Sequence, residues 1–303
     1  MSWETALDEK IGAILPKMGW RRDEPLSKHT SFRIGGPAKR MAFPSSTEDA
    51  AVLFDTLQKL GIRTIVLGNG TNVLFPDEGL DAVVVAMSEL NGIKRTDADM
   101  LTAEAGVSLA RLASFAWKES LTGLEFAHGI PGSLGGGVVM NAGAYDGSLA
   151  DVLCEVTALW PDGVRTLHAG ELDFSYRHSV FSEHPEAVVL RAALRLRPGD
   201  GDSIRARMDE LMARRKASQP LEYPSAGSTF KRPEGHFAGS LIEQCGLKGT
   251  RVGGAEVSVK HAGFVINTGK ATCADVLRLI ELIQKTVLSE KGVTLEPEVR
   301  IIR

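Results

Sequence analysis

The apolar residues of this chain repeat with two periods. From Ser45 onward, Ala50, Leu53, Phe54, Leu57 and Leu60 recur three and four residues apart, as one stripe of a helix does. Ser45 and Glu48 have the spacing of a capping box, so the helix is expected to start there. The same period predicts an amphipathic helix over Glu4–Met18, a charged one over Ile204–Lys216 and one opening near Ser108. A long helix follows Thr272, the expected N-cap, and Gly292 lies just past its end. Strands are expected over Arg40–Pro44, on both sides of a turn at Gly68–Asn72, over Ala82–Ala86, through much of Val152–Leu196, and in the closing TLEPEVRII. Residues 197–203, RPGDGDS, read as a linker. Helices and strands alternate at uneven intervals, without a repeat. That is the pattern of an α+β fold, not of a regular doubly wound sheet.

Length and composition narrow the classes. A chain of 303 residues suffices for two or three domains with real cores. A net charge of −3 leaves no electrostatic footprint for nucleic acid or an acidic membrane. No apolar run approaches the ~20 residues of a membrane span. The acidic, amphipathic start is unlike a signal peptide. Three cysteines, far apart and without a CxxC, indicate neither a disulfide framework nor a zinc site. His178 and His184 lack further ligands nearby in sequence, so no metal is expected. A cytoplasmic protein is the expectation.

Glycine is the one excess, at 32 residues, and it clusters at Gly68–Asn72 and Gly129–Gly147. Without a Cβ, main-chain amides can approach a ligand, and a run of amides forms an anion-binding nest. Neither stretch is a known phosphate fingerprint. GNGTNV has Val73 where a dinucleotide motif needs its third glycine, and no P-loop occurs. Two readings remain: tight turns with close packing, or a diphosphate gripped from two sides. The pairing of the loops, one of them with Gly135-Gly136-Gly137 among small apolar residues, favours the second.

Six motifs in order narrow the field further. They are KHTSFRIGGPA (28–38), VLGNGTNVLF (66–75), GLEFAHGIPGSLGGGVVMNAGAYDG (123–147), YRHSVF (176–181), PSAGSTFKRP (224–233) and LEPEVRII (295–302). With these, Ser27 to Arg303 resembles the UDP-N-acetylenolpyruvoylglucosamine reductase family, in its shorter form. The segment after YRHSVF leaves no room for the tyrosine-bearing insertion of the longer form. The resemblance implies an α+β fold with an FAD-binding region of the vanillyl-alcohol-oxidase type, made of two subdomains, and a smaller α+β substrate-binding domain. The expected division is 1–78 joined by the closing strand 293–303, then 79–199, then 200–292. It implies that Gly68, Asn69, Gly70, Thr71 and Asn72, with Gly129, Ile130, Pro131, Gly132, Ser133, Gly135 and Gly136, hold the FAD diphosphate. The flavin is then expected against NAGAY, at Asn141, Ala142 and Gly143.

The reaction that the resemblance implies reduces the enol ether of UDP-N-acetylglucosamine enolpyruvate. NADPH supplies the hydride by way of FAD, and a proton completes the product. The protein must position, stabilise and protonate. By the resemblance, Ser228 in AGSTF is the proton donor. A free serine is too weak an acid, so its partner must be strongly basic and its proton replaceable. Arg177 in YRHS pairs with the substrate carboxylate, where a fixed guanidinium stabilises developing charge. Glu298, the second glutamate of LEPE, stands beside the enolate, and burial would let it stay protonated as a donor. Without the resemblance Arg177 reads as a surface ion pair, Ser228 as a turn residue and Glu298 as a solvated glutamate. Glu296 would share a strand face with Glu298, and only the alignment of LEPE separates them.

Substrate contacts are less specific. Arg214, Arg215 and Lys216 either decorate a helix C-terminus or meet a phosphate. Lys216 is preferred, along with Arg214, because Lys216 lies twelve residues before Ser228, where the family has a substrate lysine. Tyr145 and His261 are either substrate contacts or packed side chains. Arg232 replaces an asparagine of some members, which leaves the uridine side open. No obligate protein partner is evident. Two competing readings are an oxidase that attaches its flavin through His128 and a flavin sensor with a dead site. Neither has a use for Ser228, Arg177 and Glu298 together.

Overall fold

The computed structural model describes residues 2–303. The chain forms two compact units. One comprises the residues up to Arg22, with Arg40–Asn69 and Ala82–Ala213; the other comprises Asp23–Lys39, Gly70–Asp81 and Arg214–Arg303. Both mix helices and sheets, so the α+β expectation is met.

In the first unit, α1 (Trp3–Ile14) and α2 (Thr47–Lys59) bury Leu7, Ile11, Leu53 and Leu57 in one core with Val83 and Val85. The valines belong to the strand Leu80–Ala86, which runs parallel to Thr64–Leu67. Strand order in this sheet is Gly19–Pro25, Pro37–Phe43, Leu80–Ala86, Thr64–Leu67. An inner strand covered on both faces needs no polar alternation, which is why AVVVA reads as an unbroken apolar run. Thr64–Leu67 then delivers Gly68 and Asn69 at its C-terminal end.

A second core in the same unit belongs to a five-stranded antiparallel sheet. Its order is Gly163–His168, Leu153–Trp160, Val188–Arg195, Met100–Glu104, Ile93–Asp97. The helices α3 (Leu109–Lys118) and α4 (Leu134–Val139) share that core through Leu109, Leu112, Leu134 and Val138. After it come α5 (Val180–Glu183), a single turn, and α6 (Gly201–Ser218).

The second unit has a three-stranded antiparallel sheet, Arg251–Val252, Ala255–Val257 and Val265–Asn267. Its core joins Ala255, Val257 and Val265 to Leu241 and Ile242 of α7 (Ala238–Gln244) and to Val276, Leu279, Ile280 and Ile283 of α8 (Cys273–Lys291). Thr272 caps α8, and Gly292, at φ 68°, ends it, both as the sequence predicts.

Several boundaries differ from the periodicity. The cap of α2 is Ser46, whose extended backbone lets its hydroxyl accept from the Asp49 amide at 3.0 Å; Ser45 instead donates to the Asp49 carboxylate. Pro16 follows the end of α1 and cannot extend it, so the helix stops short of Met18. RPGDGDS is mostly structured: Asp200 accepts from the Ser203 amide at 2.8 Å, which turns the acidic stretch into the start of α6. The closing segment is a strand only at Arg300–Ile301, because Pro297 has no amide to donate upstream.

The α1 helix is tied to its sheet by one buried carboxylate. Arg40 reaches Asp8 with two nitrogens, at 2.5 and 2.8 Å; Trp20 donates to it at 2.8 Å, and Arg22 lies 2.9 Å away. Burial pushes the Asp8 carboxyl up, but the hydrogen bonds from Arg40 and Trp20 and the charges of Arg40 and Arg22 outweigh it and leave its pKa below the ordinary value. A depressed carboxylate contributes stability above its unfolded pKa, and that contribution fades as pH falls through the folded one. Asp8→Asn should therefore cost about 3 kcal/mol near neutral pH, and the gap to the unsubstituted protein should close below about pH 4. Urea unfolding of both proteins across pH 7 to 3 measures this.

Candidate active site

In the first unit the structure brings the two glycine loops together. The Asn69 side chain donates to the Pro131 carbonyl at 2.9 Å. A Cβ on Gly68 would come within 2.2 Å of the Ser133 hydroxyl, so only glycine lets these strands of chain meet. Ser133 also caps α4, accepting from the Gly136 amide. The amides of Gly68, Asn69, Gly129, Gly132 and Ser133 donate to no acceptor among the described residues. Buried or half-buried donors without acceptors are what an anion requires.

The triple glycine has a second reason. The amides of Leu134 and Gly135 are spent on the carbonyls of Val107 and Ala105, at 2.7 and 2.8 Å. A Cβ on Gly135 would lie 2.9 Å from that of Ala105, and one on Gly137 would lie 2.8 Å from Leu149 Cδ1. These two glycines answer to packing. Gly136 alone of the three has room for a methyl group. His128, just before the loop, has its Nδ1 buried without a hydrogen bond among the described residues.

Past α4 the chain forms two strained turns. Gly143–Ala144 pairs with Gly147–Ser148, and the turn between them is Tyr145-Asp146, at φ 52° and 65°. Positive φ at both positions is the mirror-image hairpin turn that normally takes Asn-Gly. Ser175 and His178 pair across Tyr176-Arg177, and Arg177 has φ 56°. Its guanidinium lies over the Tyr176 ring, 5.2 Å from the centroid. Non-glycine residues in this region store strain, and such strain gathers at functional sites. The two residues of this unit expected near substrate, Tyr145 and Arg177, are both held this way. Asn141 links the turns, its amide donating to the Ser175 carbonyl at 3.0 Å and its oxygen accepting from Ala150 at 3.0 Å.

In the second unit, Gly70, Thr71 and Asn72 also have amides that meet no acceptor among the described residues. Gly70 is left-handed, at φ 62°, and a Cβ there would sit 2.0 Å from the His29 carbonyl oxygen. Asn72 connects this loop to the C-terminal segment: its amide side chain donates to the Glu298 carbonyl at 3.1 Å, and the Arg300 amide donates to the Asn72 carbonyl at 3.0 Å. The segment 229–231 pairs with 296–298 through a bridge between Phe230 and Pro297, and the Glu298 amide donates to the Thr229 carbonyl at 2.8 Å. Ser228 precedes buried Thr229, whose amide donates to Gly263 and whose hydroxyl accepts from Val265. The backbone positions of Ser228 and Glu298 are thus one residue out of register with each other. Glu296 separates from Glu298 here: it is exposed and forms an ion pair with Lys231 at 2.5 Å, whereas Glu298 is half-buried.

His261 stands on the same turn as Gly263. Its Nδ1 accepts from the Gly263 amide at 3.1 Å, which leaves the ring proton on Nε2. Burial lowers its pKa, so the ring is neutral at physiological pH and can donate one hydrogen bond. Lys216 is exposed at the end of α6, and its carbonyl accepts from Lys260 at 2.7 Å. Arg214 is exposed two residues earlier. Lys260 lines a cavity of about 340 Å³ with Tyr223, Arg251, Glu256 and Ser258. Glu256 balances Arg251 there at 2.5 Å and Glu222 faces Lys260 at 3.9 Å, so this cavity offers no surplus of positive charge.

Sequence reasoning missed the residues that fasten these loops. Ser31, within KHTSFRIGGPA, donates to the Ser225 carbonyl at 2.6 Å. Asn267 is buried and donates to the Phe32 carbonyl at 3.0 Å. Both act on main chain far away in sequence, and no spacing rule marks such residues. The motif that contains Ser31 was the only available signal. Among the described residues, no cluster of His, Cys, Asp or Glu could hold a metal ion, and no helix is long and apolar enough to cross a membrane.

The residues present fit an FAD diphosphate, through unspent amides on loops kept bare by close packing. Comparison with known proteins agrees. A family model described as FAD binding domain matches residues 38–167, and one described as UDP-N-acetylenolpyruvoylglucosamine reductase, C-terminal domain, matches 219–302. The curated UDP-N-acetylenolpyruvoylglucosamine reductase of Clostridium novyi is 48% identical, over 98% of this chain and 96% of its own. That of Agathobacter rectalis is 50% identical, over 95% of each. The crystal structure of the reductase from Thermus caldophilus aligns with a TM-score of 0.81 at 34% identity, covering 94% of this chain and 100% of that one.

Two glycine substitutions separate packing from binding. Gly70→Ala should destabilise the protein by about 2 kcal/mol or more, since both φ and the His29 carbonyl oppose a side chain. Gly136→Ala should leave stability unchanged or slightly raised, as in any helix with room, yet weaken binding of added FAD. Urea unfolding and flavin fluorescence titration of each variant measure these effects.

Proposed function

The chain belongs to the UDP-N-acetylenolpyruvoylglucosamine reductase family, as its near-complete similarity to curated members establishes, and on that premise we propose that it reduces UDP-N-acetylglucosamine enolpyruvate to UDP-N-acetylmuramate, with NADPH as reductant and FAD as the bound carrier. The setting is peptidoglycan precursor synthesis in the cytoplasm. The observation that carries the reading is the state of the motif loops: Gly68–Asn72 presents a run of amides with no acceptor among the described residues, and the motif residues Tyr145 and Arg177 adopt costly backbone conformations.

Bound FAD would supply the hydride chemistry, carrying a hydride from NADPH to the enol ether. The rest falls to the chain. Main-chain amides of Gly68–Asn72 and of Gly129, Gly132 and Ser133 bind the cofactor's diphosphate. Ile130, Pro131 and Gly136 line that loop, and Asn141, Ala142 and Gly143 meet the flavin. Arg177 pairs with the substrate carboxylate and stabilises negative charge as it develops on the adjacent carbon; in a dry site such a contact is worth several kcal/mol. Its planar fork matches a carboxylate as a lysine cannot. Ser228 Oγ gives its proton to that carbon. Gly227, at φ 77°, and the hydrogen-bonded Thr229 flank Ser228 in the chain. Glu298, protonated, donates toward the enolate. His261, neutral and with its proton on Nε2, serves as a donor to the substrate, and Arg214 and Lys216 meet its diphosphate, with Tyr145 nearby.

The purified protein should be yellow and should release FAD on denaturation; a protein that stays colourless and does not take up added FAD would end the proposal. Ser228→Ala should leave bleaching of the flavin by NADPH intact and slow its recovery on adding the enolpyruvyl sugar nucleotide by about a hundredfold or more. Equal loss in both phases would mark a structural serine. Arg177→Lys should slow only the recovery phase, and anaerobic stopped-flow absorbance separates the phases in both variants.

A further inference from the structure

Arg177 poses a mechanical problem. Its turn is closed by two long backbone bonds, Ser175 to His178 and His178 to Ser175, each 3.3 Å. Its φ of 56° is one that L residues avoid. Asp173, at the mouth of the same loop, is also left-handed, at φ 47°. A conformation of this kind persists only where the surroundings over-determine it. The ion pair of His178 with Asp173, at 3.2 Å, is a weak restraint, because the aspartate is 76% exposed.

The restraint comes from α4. Ser179 has no exposed surface, and its hydroxyl donates to the Val139 carbonyl at 2.9 Å. Ser182 donates to the same carbonyl at 3.2 Å, and also accepts from the Ser179 amide at 3.1 Å. Val139 is the last residue of α4, so its carbonyl lacks a partner inside the helix. Asn141, just beyond, pins the other arm of the turn through Ser175. The turn is thus fastened on both sides to the helix that follows the glycine loop.

We infer that Ser179 is a positioning residue for the reduction, holding the Arg177 turn in its strained form by its bond to the end of α4. The inference rests on the role proposed for Arg177. The hydroxyl does not touch substrate; it acts by keeping one guanidinium where a carboxylate will arrive. Misplacing such a group by an ångström can cost about a hundredfold in rate.

The test is a double-mutant cycle of Ser179→Ala and Arg177→Ala. Flavin recovery on substrate addition, substrate KM, bleaching by NADPH and FAD affinity are measured in each. With Arg177 present, Ser179→Ala should slow recovery or raise KM by about tenfold or more, with bleaching and FAD affinity unchanged. With Arg177 already alanine, it should change neither recovery nor KM. Ser179→Thr, which keeps the oxygen, should restore the single-variant loss. Equal losses in both backgrounds would show a merely structural serine and overturn the inference alone. Full recovery kinetics in Arg177→Ala would overturn the role of Arg177 and the inference with it. If Ser179→Ala does not fold, Ser182→Ala tests the same fastening in the same cycle: its exposed hydroxyl donates to the same Val139 carbonyl, and a loss that persists without Arg177 would again overturn the inference.

Discussion

Close approach to bare main chain is the constraint on which the rest of this structure depends. At Gly70 the His29 carbonyl occupies the volume of a side chain, and at Gly68 the Ser133 hydroxyl does so. At Gly68 the contact is between the two glycine loops, and at Gly70 it is between the first loop and the segment at His29. A Cβ at either place would part them. The amides left over have no acceptor in the protein among the described residues, and a dianionic diphosphate supplies acceptors for many at once. Binding by backbone dipoles needs no lysine in the loop, and the loops contain none.

The same economy governs the side chains that follow. Tyr145 and Arg177 occupy turns that would be relaxed with glycine or asparagine. The strain is tolerated because each turn is bound to well-packed structure: a two-residue hairpin in one case, the end of α4 in the other. In the second unit the solution is different. Ser228 and Glu298 lie on neighbouring stretches joined at Thr229, whose amide, carbonyl and hydroxyl are all engaged.

Much of the fold was legible because it followed local rules. The α8 boundaries, the Ser108 start of α3 and the buried AVVVA strand all came from periodicity and capping chemistry. The misplaced boundaries were decided by single residues whose effect depends on backbone geometry: Ser46 rather than Ser45, Pro16, Asp200 and Pro297. The candidate site was legible through its motifs. Periodicity alone would have left Ser228, Arg177 and Glu298 among ordinary turn and surface residues.

By itself the sequence determined the family, the class of cofactor and the identity of the motif residues, because those reside in residue types at fixed short spacings. The tertiary structure alone decided which glycines serve packing, that Glu298 is half-buried while Glu296 pairs with Lys231 in solvent, and which serines and asparagines fasten the loops. The physical reason is that these depend on contacts such as Ser31 with Ser225 and Asn72 with Glu298, which join residues far apart in the chain. Local spacing carries no record of such contacts, and a hydrogen bond to a carbonyl can be made by many sequences.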